Sequence, residues 1–209
     1  MIKASGDEGT ALYHTLCKKI WHEERWPNEW TKAVFIPIRK KVDLQLCTNY
    51  RTISLISHAS KILLKIILNR LENMVKEDVS QTQAGFRPNR GTRDQIFNIR
   101  TLIEKSREAN KDLHMCFIGY SKAFDCVNHE QIVTTLKNLN CHYKIVNLIN
   151  NLYQQQTATV RLENGLTKWF PIKRGVRQGC ILSPSLFSLY TETIMRDVMI
   201  EKKLESTVP

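Results

Sequence analysis

Acid is what this chain is short of. Its 209 residues carry 20 Asp+Glu against 31 Lys+Arg, a net charge of +11, with a pI near 9.5. An excess of that size favours a polyanionic partner, nucleic acid before a membrane surface. Seven aspartates stand at positions 7, 43, 78, 94, 112, 125 and 197, and no two adjoin. The six cysteines are scattered, with no C-x-x-C pair and no histidine at zinc spacing. That pattern argues against a zinc knuckle and for reduced, buried thiols in an intracellular protein. Long hydrophobic runs are missing too. The most apolar stretch, residues 62–71, is interrupted by Lys65, Asn69 and Arg70, which excludes a membrane span. Residues 1–10 are polar and lack a signal-peptide core, so a nuclear or cytoplasmic location is expected. There is no internal repeat, low-complexity stretch or obvious linker.

What is present reads as an ordinary globular protein, 42% hydrophobic and 24% charged, long enough for one compact domain or two subdomains in contact. Helical spacing over residues 12–24 ends at Trp26-Pro27-Asn28. Residues 33–38 alternate like a strand and run into the basic cluster Arg39, Lys40 and Lys41; residues 49–55 are extended. Residues 60–75 predict a helix with Ile62, Leu63, Ile66, Ile67, Leu71 and Met74 on one stripe. A Gly/Pro/Arg loop, 83–91, precedes a helix opened by a capping box at Thr92 and Gln95, with Ile96, Phe97, Ile99, Leu102 and Ile103 inward. Residues 113–118 predict a buried strand. Asn128 caps a helix to about residue 139, and 143–153 is helical as well. Asn164-Gly165 predicts a hairpin turn between strands at 157–162 and 166–172, and Ser183-Pro184 starts a final helix over 185–203. The class is α+β, helices packed on a small antiparallel sheet.

Four segments carry chemistry. Residues 30–55 read WTKAVFIPIRKKVDLQLCTNYRTISL, 83–96 read QAGFRPNRGTRDQI, 117–125 read FIGYSKAFD, and 174–187 read RGVRQGCILSPSLF. On the residues alone, Arg51 sits in a basic turn, Arg87, Arg90 and Arg93 crowd a loop before a helix N-terminus, and Phe124 could be core. Together and in this order the segments resemble the reverse transcriptases of non-LTR (LINE-type) retrotransposons, over residues 21–197. The resemblance implies right-hand polymerase fingers and a partial palm, with the thumb absent. Residues 1–29 would be a helical lead-in, and 30–209 a partial reverse transcriptase domain that stops before the family's Asp-Asp motif.

The same resemblance implies roles. Arg51 would hold the triphosphate of an incoming nucleotide, which suits a guanidinium's paired donors. Thr52 replaces the proline usual after it. Phe124 would be the aromatic gate against a 2′-hydroxyl, with Gln178 and Gly179 packed on the nucleotide. Arg87, Arg90, Arg93, Arg174 and Arg177 would contact nucleic acid. RNA template, RNA/DNA primer duplex and dNTP are the implied partners, with no membrane, and Mg2+ the implied cofactor. Gly119, however, stands where the family's first motif has its metal-binding aspartate. Asp125, six residues on, is expected to cap a turn rather than replace it. Two-metal phosphoryl transfer needs acidic ligands at fixed geometry, so the expectation is a catalytically inactive fragment with no productive metal site. The competing expectation is a captured module that binds nucleic acid or a protein without catalysis.

Overall fold

The structure is a computed structural model that describes residues 6–40 and 43–205; Lys41 of the basic cluster lies outside the described residues. In chain order the elements are α1 (Gly6–Glu23), α2 (Asn28–Thr31), β1 (Lys32–Arg39), a 3-10 turn (Cys47–Asn49), β2 (Tyr50–Leu55), α3 (His58–Met74), α4 (Thr92–Glu108) and α5 (Ala123–Cys126). They continue with α6 (His129–Asn138), α7 (Tyr143–Gln154), β3 (Thr157–Leu162), β4 (Gly165–Leu166), β5 (Phe170–Pro171) and α8 (Ser183–Glu205). The fold is mixed α/β.

The sheet is mixed, which corrects the antiparallel expectation. β2 pairs antiparallel with β1, from Val34 opposite Leu55 to Arg39 opposite Tyr50. β1 then pairs parallel with β3, Lys32 opposite Thr157 through Phe35 opposite Val160. A parallel pair needs a long crossover, and the helices α3 to α7 between the two strands supply one. The hairpin after β3 turns through Glu163 and Asn164, with Leu162 opposite Gly165. The turn thus sits one residue earlier than the Asn-Gly pair predicts, and of that pair only Gly165 takes a positive φ (+124°). The expected strand over 166–172 is broken. Thr167 Oγ1 accepts the Val160 N–H at 3.0 Å, a side chain where a regular ladder would have a carbonyl, and pairing resumes only at β5.

The core forms where helices cover this sheet. α3 buries Leu63, Leu64, Ile67, Leu68 and Leu71, while Ile66 and Met74 are exposed, so the buried stripe is rotated from the expected one. α7 buries Ile145, Val146, Leu148, Ile149, Leu152 and Tyr153. α6 is capped as its sequence predicts, Asn128 Oδ1 accepting from the N–H groups of Glu130 (2.8 Å) and Gln131 (3.3 Å). The N-terminal region is tied to the same core: Trp26 and Trp30 are buried, and Trp26 Nε1 donates to the Leu148 carbonyl at 2.8 Å.

Two apolar elements stay outside that core. α4 has no buried residue; Ile96, Phe97 and Leu102 are 57%, 69% and 56% exposed, against the inward face expected of them. Its first turn is closed by Asp94, whose Oδ2 accepts the Gly91 N–H at 2.8 Å, rather than by Thr92 and Gln95. Residues 113–118 form no strand, and Phe117 and Ile118 are 77% and 74% exposed. A strand exists only where a neighbour takes its N–H and C=O groups, and among the described residues nothing does so here.

Candidate functional site

The site is assembled by the segment 174–180, which turns on two glycines. Gly175 has φ +93°, and a Cβ there would meet the Asp125 carbonyl oxygen at 2.9 Å and the Phe124 carbonyl oxygen at 3.0 Å. Gly179 has φ +103°, with the Ser54 carbonyl oxygen 3.1 Å from its would-be Cβ. At Gly175 both the dihedral and the space exclude a side chain; at Gly179 the dihedral strains one and the space is tight. Backbone bonds complete the splice: Gly175 N–H to the Val127 carbonyl (2.8 Å), Val176 N–H to the Phe124 carbonyl (2.7 Å), and Ser54 N–H to the Gln178 carbonyl (2.7 Å). One short loop thus joins α5 on one side to β2 on the other. The glycine expected to allow a nucleotide close approach allows, in the first place, the approach of β2.

Between those elements lies a cleft of about 570 Å³ lined by Lys40, Arg51, Phe86, Tyr120, Lys122, Phe124, Asp125, Gln178 and Gly179, among others. Arg51, Phe124, Gln178 and Gly179, drawn from three separate motifs, therefore meet on one concavity. Arg51 is exposed on β2, opposite Ile38. Phe124 is half-buried between Phe187 (ring centroids 4.9 Å) and Phe86 (5.7 Å). Lys122 adopts a left-handed conformation (φ +50°) that swings the chain into α5 and sets it on the wall of the cleft. Strain of this kind in a non-glycine residue is tolerated where its surroundings demand it. Sequence reasoning passed over Lys122, Lys40 and Tyr120 as cleft residues. The S-K-A-F run and the basic cluster were the signals that could have found the two lysines.

The remaining arginines part company. Arg177 is 2% exposed; its Nη2 and Nη1 donate to the carbonyls of Thr31 (2.8 Å) and Trp30 (3.2 Å), and its Nε has no partner. These carbonyls end α2, where a helix leaves its last acceptors unsatisfied. The buried guanidinium therefore clamps α2 to the site loop and does not reach solvent. Burial pulls its pKa down from the usual arginine value. Beside it, Tyr153 and the Cys180 thiol are pushed up by burial. His129 is pulled down by burial, while its Nε2 lies 2.8 Å from the Gly175 carbonyl. Arg174, the first residue of this loop, is exposed. Arg87 folds back on its own turn, Nη1 donating to the Ser80 carbonyl at 2.7 Å. Arg90 is exposed and donates to Gln81 Oε1 at 3.1 Å, and Arg93 is exposed on α4. None of these five lines the cleft.

A family model described as reverse transcriptase (RNA-dependent DNA polymerase) matches residues 38–206, most of the chain and all of this site except the clamp on α2. This chain belongs to the reverse transcriptase family. Among its relatives, an uncharacterized 149 kDa protein of transposon TX1 from Xenopus laevis is 31% identical over 94% of the chain and 15% of its own length. The Pol polyprotein of the type-1 retrotransposable element R2 from Popillia japonica is 31% identical over 81% of the chain and 24% of its own length. The RNA-directed DNA polymerase of the mobile element jockey from Drosophila melanogaster is 27% identical over 87% of the chain and 21% of its own length. The chain thus spans about a quarter or less of these relatives, which are proteins of non-LTR retrotransposons.

Reverse transcriptases generally work with Mg2+, so the residues present can be tested against that ion. Gly119 offers no side chain, and open space surrounds it, with nothing within 4 Å of where a Cβ would stand. Asp125, the one carboxylate on the cleft wall, accepts from Gln178 Nε2 at 3.1 Å; it does not cap the next helix, which Asn128 caps. Among the described residues no three His, Cys, Asp or Glu side chains gather. A divalent pair needs several hard oxygen ligands together. These residues do not fit it.

Proposed function

We propose that this stretch of chain is the nucleotide- and template-gripping part of a non-LTR retrotransposon reverse transcriptase, with β1, β2 and the loop 83–91 as fingers and α5 to α8 with β3 as palm. As it stands it binds a template–primer duplex and a deoxynucleoside triphosphate without joining them. The observation that carries this reading is the convergence of Arg51, Phe124, Gln178 and Gly179 on one cleft. Arg51, with Lys40 and Lys122 lining the same cleft, supplies donors for a triphosphate. Phe124, held between two other rings, supplies a rigid face against the sugar. Arg90, Arg93 and Arg174 are exposed cations placed to meet phosphates of the duplex. Catalysis is absent in this reading because Gly119 stands at the first ligand position and Asp125 is engaged with Gln178.

Primer extension on an RNA template with Mg2+ tests the silent half, and no product is expected; clear synthesis would overturn it. A salt titration of binding to a recessed RNA/DNA duplex tests the other half. Affinity should fall steeply and linearly in log–log form as salt rises. No binding at low salt would sink it.

A further inference from the structure

We infer that a pocket behind the cleft, on the opposite face of β2, is a site for bound water. The water accepts from Arg177 Nε–H and donates to the amide oxygen of Gln156, tying the site loop to the start of β3. The inference stands apart from the nucleotide reading above.

Alternate residues of a strand face opposite sides of its sheet. Arg51 and Ile53 line the cleft, whereas Thr52 and Ser54 line a second pocket of about 160 Å³, together with Phe35, Gln156, Arg174 and Arg177 among others. Gln156 and Arg177 are each 2% exposed. Each also carries a buried atom without a partner among the described residues, Oε1 of the amide and Nε of the guanidinium. Neither residue is free to swing out and relieve this. Gln156 is held by its N–H on the Tyr153 carbonyl (3.2 Å) and by its carbonyl, which accepts the Ile172 N–H (3.0 Å). Arg177 is held by its clamp on α2 and by its carbonyl, which accepts from Ser183 Oγ at 2.7 Å. Buried polar groups left unpaired are costly and rare, so both atoms require a partner that the protein does not supply.

The chemistry of the pair selects that partner. One orphan is a donor and the other an acceptor, and water answers both at once. An apolar molecule would leave both unpaired. An anion would suit the guanidinium but meet the amide oxygen, and the Asp125 carboxylate on the same lining repels it whichever end of the amide faces in. The pocket has room, since one water needs only roughly 10–15 Å³ of such space. Arg174 and Asp125, both exposed, give solvent a way in.

Water–protein ROESY on the whole nitrogen-labelled chain decides this. The Arg177 Nε–H signal, identified by its absence from Arg177→Lys, should be sharp and show a dipolar cross-peak to water, of the sign that proton exchange does not give. In Gln156→Leu the cross-peak should be lost, because a buried water is kept by at least two polar partners; a matching melting temperature would show that variant folded. A dry Arg177 signal in the unaltered chain, or one broadened by free exchange with solvent, overturns the inference. So does a cross-peak of full strength in folded Gln156→Leu. Titration with sodium bromide separates water from an anion: the Arg177 signal should stay in place, and a saturating shift would put a halide in the pocket and overturn the reading. The cross-peak and the bromide titration are read on the unaltered chain, so they decide the matter even where Gln156→Leu does not fold.

Discussion

The motif FIGYSKAFD is held at one end and free at the other. From Ala123 onward it is fastened to the site loop, by Val176 N–H on the Phe124 carbonyl, by Gln178 on Asp125, and by Gly175, whose would-be Cβ would stand 2.9 Å from the Asp125 carbonyl oxygen. From Phe117 to Tyr120 it is exposed, in no strand, with open space around Gly119. The motif is therefore anchored through the loop 174–180 and not through the sheet. The half that meets the nucleotide's sugar in our reading is rigid, and the half that would carry a metal ligand has no support among the described residues.

The held end should give way first at Gly175. An alanine there must keep φ near +93° and push its Cβ against two backbone carbonyls that cannot step aside. Left-handed strain and overlap together should cost about 3 kcal/mol in a denaturant titration. The joint between α5 and the loop should open with it, so nucleotide binding should be lost at temperatures where the variant is still mostly folded. Unchanged stability would mean that the two halves of the motif do not differ in the way described.

Arg177→Met is the next largest. Two effects oppose each other here. Losing the guanidinium strands the carbonyls of Trp30 and Thr31 in a buried place, at roughly 1–3 kcal/mol for such a group. Removing a buried cation that has no carboxylate partner returns part of its desolvation cost. A net loss of about 2 kcal/mol is expected, read from the urea midpoint. Arg177→Lys should lose a comparable amount, because an ammonium cannot span two carbonyls as the planar fork does. Nucleic-acid affinity at matched temperature should be unaffected, since the side chain is buried.

How much of this was legible in the sequence follows from which interactions are local. The cap at Asn128 needs only its own next three residues, and it stands where the pattern puts it. The stripe of α3 was visible as a stripe, but periodicity reports an apolar face without saying what covers it. α4 shows the consequence, for its face reads as inward and lies exposed. Residues 113–118 fail for the same reason, since apolar content alone makes no strand. The four cleft residues were legible only because their motifs resemble a family; their meeting depends on the bonds that the loop 174–180 makes to β2 and to Phe124, partners far away in sequence that no local signal encodes. Arg177 was misplaced because a sequence shows a charge and not the unsatisfied carbonyls at the end of α2 that bury it.

The smallest expected effects lie at the free end, and their smallness is what the contrast requires. Gly119→Asp adds a side chain where nothing stands within 4 Å of the new Cβ, and the glycine does not need a positive φ. Phe97→Ser removes a ring that is 69% exposed on α4. Each should shift stability by no more than about 0.5 kcal/mol, the range of ordinary surface substitutions. Their signs differ in cause: the serine lowers helix propensity slightly, whereas the aspartate ends glycine's extra freedom in the unfolded chain. A thermal melt of both beside Gly175→Ala measures the contrast directly. A loss of several kcal/mol at either position would mean that the exposed half is held by contacts as firm as those of the site loop, and the division of the motif would have to be abandoned.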